Sequence, residues 1–117
     1  MRQIMKARNM RTNRELSDNV DIADTFYKRM KGLLGKSELR AGESLLIKPC
    51  MSVHTFFMRF SIDVIFLNKR NQVVAAVKDL RPYRLSRFFI KAVSVLELPA
   101  GTIEATSTAV GDEIEIE

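Results

Sequence analysis

Hydrophobic and polar residues alternate over several short stretches of this chain, the period-two pattern of half-buried strands. Val20 and Ile22 alternate with Asn19, Asp21 and Ala23. Residues 44–48 form a short apolar run closed by Pro49, and residues 53–60 are long enough for another strand. Residues 62–67 and 72–77 are rich in β-branched side chains, which suit a pleated surface. The polar link Asn68-Lys69-Arg70-Asn71 between them predicts a hairpin. Residues 93–98 read as a strand stopped by Pro99-Ala100-Gly101, and residues 113–117 as a last strand after the turn signal Gly111-Asp112. Residues 4–14 predict a short edge strand and a turn at Thr12-Asn13.

The period changes over residues 25–34. Phe26, Met30, Leu33 and Leu34 fall at i, i+4, i+7 and i+8, one face of a helix. Asp24 is the expected N-cap and Gly35 the expected C-terminal stop. Residues 102–108 predict one or two further helical turns. About seven short strands and one or two short helices make a mostly β, α+β domain. Closure into a compact, β-barrel-like sheet would remove the exposed edges of so many short strands.

At 117 residues the chain is expected to be one domain, with residues 1–18 a basic N-terminal strand or arm and 19–117 the core. A hydrophobic fraction of 46% and a charged fraction of 28% exclude a disordered or collagenous chain. A single Cys excludes an intrachain disulfide framework. No apolar run reaches the length of a transmembrane helix, so no membrane partner is expected. The first ten residues lack the apolar stretch of a signal peptide, which makes the cytoplasm the expected location. A monomer or weak dimer is expected.

The net charge of +5 is unevenly spread. Arg2, Lys6, Arg8, Arg11 and Arg14 precede the first acid, Glu15. Lys69, Arg70, Lys78, Arg81, Arg84, Arg87 and Lys91 share their segment with one acid, Asp79. From Glu104 onward there are five acids and no base, a tail suited to pairing with a basic patch of the same chain. Tyr83, Phe88 and Phe89 interleave with the bases of residues 69–91, so salt-sensitive nucleic-acid binding is one reading of that segment. The plainer reading is a solvated loop with Phe88 and Phe89 docked in the core.

Residues 49–63 concentrate the reactive side chains. They hold the sole Cys, Cys50, and the sole His, His54, followed by Asp63. An imidazole beside a thiol favours the thiolate nucleophile, and a carboxylate can orient the imidazole. Four residues of extended chain separate Cys50 and His54 by about 13 Å, so the pair needs a turn between them. Cys50, His54 and Asp63 would also make three metal ligands, but no paired-ligand spacing supports a metal, and no metal or cofactor is expected. Glu97 shares strand parity with Val93 and Val95, which points it inward, where a second carboxyl beside Asp63 would form an acid/base pair. The plainer readings are a small buried thiol, a core histidine and a strand-end Glu reaching solvent.

The segments Arg29-Met30-Lys31-Gly32-Leu33-Leu34-Gly35, Val53-His54-Thr55-Phe56-Phe57-Met58-Arg59-Phe60-Ser61-Ile62-Asp63-Val64-Ile65-Phe66-Leu67, Val95-Leu96-Glu97-Leu98-Pro99-Ala100-Gly101 and Gly111-Asp112 occur in that order. Together, over residues 23–116, they resemble the bacterial and archaeal family called domain of unknown function 192. The resemblance implies a small β-rich domain with short helices and no particular reaction, and a bacterial source is expected. It singles out Gly32, His54, Met58, Asp63, Glu97 and Gly101. Relatives often carry a Trp in the aromatic segment, where this chain has His54 with Phe56 and Phe57.

The favoured functional reading is non-covalent binding of a small ligand or protein in a polar pocket built by His54, Met58, Arg59, Asp63 and Glu97. The alternative is a small hydrolase-like enzyme using Cys50, His54 and Asp63, and the third is weak nucleic-acid binding through residues 69–91.

Overall fold

The computed structural model describes residues 4–117; Arg2 of the basic N-terminal stretch lies outside them. Eight strands and two short helices follow in the order β1 (Ala7–Asn9), β2 (Glu15–Ser17), β3 (Asn19–Ala23), α1 (Phe26–Lys31), β4 (Glu43–Ile47), β5 (Ile62–Leu67), β6 (Val73–Leu80), β7 (Ser94–Pro99), α2 (Thr102–Ala105) and β8 (Ile114–Ile116). The mostly β, α+β class is the one the patterning implies. The strands do not close into one barrel. They form a five-stranded sheet, β3-β4-β7-β5-β6, and a three-stranded sheet, β2-β1-β8. Short links tie the sheets at two corners: Val20 N–H donates to Met5 O at 2.9 Å, and Gln72 bridges Glu113. This satisfies part of each edge without closure.

Parity along β5 and β7 sorts two cores. Ile62, Val64 and Phe66 join Val95, Leu45 and Ile47 on one face of the larger sheet. Ile65, Leu67, Leu96 and Leu98 lie on the other face, against Ala7 and Leu16 of the smaller sheet, Ile114 and Ile103. All of β5 is buried because both of its faces are covered.

Several local expectations change. β1 lies between β2 and β8, so it is a central strand of its sheet and not an edge. Residues 53–60 are not a strand: His54 makes one isolated bridge to Leu85, and Met58 N–H closes a turn onto Thr55 O at 3.1 Å. The helix is capped by Thr25, whose Oγ1 accepts from Lys28 N–H at 3.2 Å, in place of Asp24. It ends at Gly32 and not Gly35, because the chain there takes φ +50, which residues bearing a Cβ disfavour.

The N-terminal bases do meet the C-terminal acids. Arg8 pairs with Glu115 at 3.2 Å, and Arg11 with Asp112 at 2.6 Å. Asp112 also accepts from Asn9 and from Ala109 N–H, joining the β1–β2 turn to the approach to β8.

Candidate functional site

The two faces of the five-stranded sheet are covered unequally. The smaller sheet and Ile103 close one. The other is roofed by α1 and by two irregular segments, residues 48–61 and 81–93. These segments zip together: Thr55 N–H bonds Arg84 O, Ser86 N–H bonds Val53 O, and Phe89 N–H bonds Met51 O, each at 2.9 Å. Thr55, fully buried, is their hub. Its hydroxyl donates to Arg81 O and accepts from Arg84 N–H at 2.9 Å. Thr55→Val keeps the shape and removes both bonds, so about 1–3 kcal/mol of stability should be lost in urea titration, while Thr55→Ser retains most of it.

This roof is incomplete and leaves a cleft of about 830 Å³. Its lining includes Phe26 and Met30 of α1, then Cys50, Val53, His54 and Met58, then Phe88, Ile90 and Val93, with Glu97 at the floor. α1 therefore differs from its expected packing. The Phe26–Met30 stripe does not enter the core: Phe26 is 76% exposed and Met30 64%, and no residue of the helix is buried. Leu33, one turn on, carries the anchoring contact. Phe89 packs on Phe66, ring centroids 4.5 Å apart, whereas Phe88 stays exposed at the cleft. Backbone strain occurs at Phe57 of the cleft lining and at Tyr83 beside it. Phe57 and Tyr83 sit at φ +65 and φ +62 and meet edge to face at 5.7 Å. Bulky residues adopt this region only where their surroundings hold them, commonly at functional sites.

Glu97 is the most unusual group. It is 4% exposed, and it shares its face with Val95, Leu45 and Val64. Among the described residues it has no hydrogen-bond or ion-pair partner. Among those residues no fully enclosed side-chain oxygen lacks a partner, so the oxygens of Glu97, which lines the cleft, keep some exposure. Desolvation pushes its carboxyl up to about 8, so at neutral pH it is mainly the uncharged acid.

The residues expected to form one polar pocket are divided. His54, Met58 and Glu97 line the cleft, as does Cys50. Arg59 is exposed outside that lining. Asp63 lies on the opposite face of the sheet from Glu97, since it pairs with Leu98 while Glu97 pairs with Val64. Asp63 is a backbone clamp. Its Oδ2 accepts from Gly101 N–H at 3.1 Å and Ile103 N–H at 2.8 Å, and its Oδ1 from Asp79 N–H at 2.9 Å. A bulge in the β5–β6 pairing and a left-handed Asp79, φ +51, present that last N–H. The opening of α2 and the end of β6 are thus held by one carboxylate.

Cys50 and His54 share the cleft without a hydrogen bond between them. The thiol points to Ser52 O at 3.0 Å, and His54 stacks on Phe56 at 5.2 Å. Burial pushes the Cys50 thiol up, with Glu97 adding to the rise against the opposing Ser52 bond and Arg29. That favours the thiol over the thiolate. Among the described residues, no three His, Cys, Asp or Glu side chains cluster as metal ligands do. None of their helices is long and apolar enough to cross a membrane. The sequence signals for Phe26, Met30, Phe88 and Ile90 were present as a helical stripe and an aromatic-basic loop. Each pattern by itself looks like core or solvated surface, and only their convergence makes a site.

These features define a small two-sheet α+β protein with an open apolar cleft over one buried carboxyl. The profile of the domain of unknown function 192 family, described as "Uncharacterized ACR", matches residues 7–116, and the chain belongs to this family. It is 36% identical over 115 residues to a UPF0127 protein of Pyrococcus furiosus, covering 92% of this chain and 94% of that one. It is 37% identical over 105 residues to a UPF0127 protein of Thermococcus sibiricus, covering 84% of this chain and 66% of that one. These relatives are archaeal, so they give the expected bacterial source no support. A solved protein of unknown function from Novosphingobium aromaticivorans has the same fold, with a TM-score of 0.78 at 19% identity, covering 95% of this chain and 82% of that one.

Proposed function

We propose that this protein binds an apolar small molecule non-covalently in the cleft over Glu97. One observation carries the reading: an apolar cleft of about 830 Å³ whose floor is a nearly buried, unpartnered carboxyl. The volume lies in the range of small-ligand sites, which pair apolar walls with a few polar groups. Exposed Phe26, Met30, Phe88 and Ile90 around the mouth supply apolar surface that a ligand would remove from water. His54 and Met58 remain part of this site as walls, and Cys50 acts as a small polarisable wall group. Asp63 and Arg59 act elsewhere: Asp63 holds backbone, and Arg59 faces solvent. The free Cys50 thiol suits the reducing cytoplasm.

The uncharged fluorophore N-phenyl-1-naphthylamine tests the cleft directly. Its emission is expected to rise on binding the wild-type protein. Val93→Trp fills the cleft from a side chain that is partly exposed, so it should weaken binding about tenfold or more, equivalent to ~1.4 kcal/mol. Unchanged binding by a folded Val93→Trp protein would refute the site.

A further inference from the structure

We infer that the occupant is a free single-chain amphiphile with an anionic head, such as a long-chain carboxylate. Its chain lies along the cleft and its head meets Arg29 and Lys31. This rests on the cleft being a small-ligand site. The charge at the mouth has one sign, because Arg29 and Lys31 line it and no acid other than the floor residue Glu97 does. An anionic head gains there and a cationic head is opposed.

Exposed apolar side chains of the cleft come from two elements. Phe26 and Met30 stand on α1, and Phe88 and Ile90 stand on residues 81–93. An apolar lining drawn from both elements suits a hydrocarbon chain. The volume suits one small molecule more than the broad face of a macromolecule.

Glu97 adds a proton requirement. Its strand neighbours on that face are Leu45 of β4 and Val64 of β5, which carry no charge. The titratable or cationic groups facing it from the cleft are Cys50, His54, Arg29 and Lys31. A chain laid over Glu97 excludes water, and an ionised carboxylate beneath it would be desolvated and would repel the anionic head. The protonated acid is compatible with both. Binding should therefore weaken as pH rises through the Glu97 range.

The test is displacement of N-phenyl-1-naphthylamine from the full chain at low salt, with submicellar dodecanoate, dodecan-1-ol and dodecylammonium as competitors. Dodecanoate should act at concentrations about fivefold below dodecan-1-ol, with dodecylammonium the weakest. Arg29→Gln combined with Lys31→Gln should abolish that advantage. Between about pH 6.5 and about pH 9, on either side of the Glu97 range, dodecanoate should weaken severalfold with wild type and hold constant with Glu97→Gln. Equal displacement by dodecanoate and dodecan-1-ol would overturn the anionic head and leave the cleft reading standing. A lead for dodecylammonium would overturn it in favour of ion pairing at Glu97. Binding to phosphatidylglycerol vesicles without displacement by dispersed dodecanoate would overturn it in favour of a membrane surface. If the wild-type protein fails to bind the fluorophore at all, the cleft reading itself fails.

Discussion

Asp63→Ala is expected to lower stability by about 3–5 kcal/mol, enough to unfold much of a small domain of ordinary stability. Three backbone N–H groups, from Asp79, Gly101 and Ile103, converge on this carboxylate. Each bond to a charged acceptor is stronger than a neutral one, and the Ile103 bond is buried. Alanine leaves all three donors without that acceptor. It also releases the positive-φ turn at Gly101, φ +96, which aims two of them. Asp63→Asn should cost less, because one oxygen still accepts while the amide faces a donor. Urea titration of the three proteins checks the order wild type, Asn, Ala. A loss below about 1 kcal/mol for the Ala variant would show that the clamp is dispensable.

Glu97 should make stability fall as pH rises. Its folded value, about 8, lies above its ordinary value of 4.5, so the folded protein holds this proton more tightly than the unfolded chain. The unfolded state then binds fewer protons in that window, and stability declines from about pH 4.5 to about pH 8. The cumulative loss is on the order of 4 kcal/mol. Glu97→Gln mimics the uncharged acid and removes this slope. It should resemble wild type near pH 5 and exceed it by a similar amount at about pH 9. Asp112 does not confuse the result. Arg11 and Asn9 hold its carboxyl well below the usual range, so its contribution is lost only at the acid end. Unfolding midpoints measured across that range decide the matter, and parallel profiles for the two proteins would show that the carboxyl is well solvated.

The two acids illustrate how far strand parity reaches. For Glu97 the parity shared with Val95 offered an inward position beside the plainer reading of a strand-end Glu reaching solvent, and burial of both faces of β7 decided for the former. Asp63 was legible as buried by its parity with Ile65 and Leu67. Their relation was not legible. Parity assigns faces within one strand, while the face shared by two strands depends on register, and register is a tertiary property. The observed pairing, Val64 opposite Glu97, puts the carboxyls on opposite sides of the sheet.

Residues 53–60 failed for a different reason. Their apolar run resembles a strand, but the Thr55 hydroxyl and the bonds to residues 83–89 hold them as an irregular flap. Side-chain bonds to distant backbone leave no local pattern. The helical stripe of Phe26 and Met30 was likewise visible, though not what it faces.

By itself, the sequence determined the strand-rich class, the hairpin of β5 and β6, the helix at α1 and the family. These follow from local periodicity, turn residues and motif order. Tertiary structure alone decided that two sheets form without closing, that Asp63 holds backbone, and that α1 and residues 81–93 stand apart over Glu97. The cleft exists because the smaller sheet covers one face of the larger sheet while short irregular segments cover the other incompletely, and that imbalance depends on contacts between residues far apart in the chain.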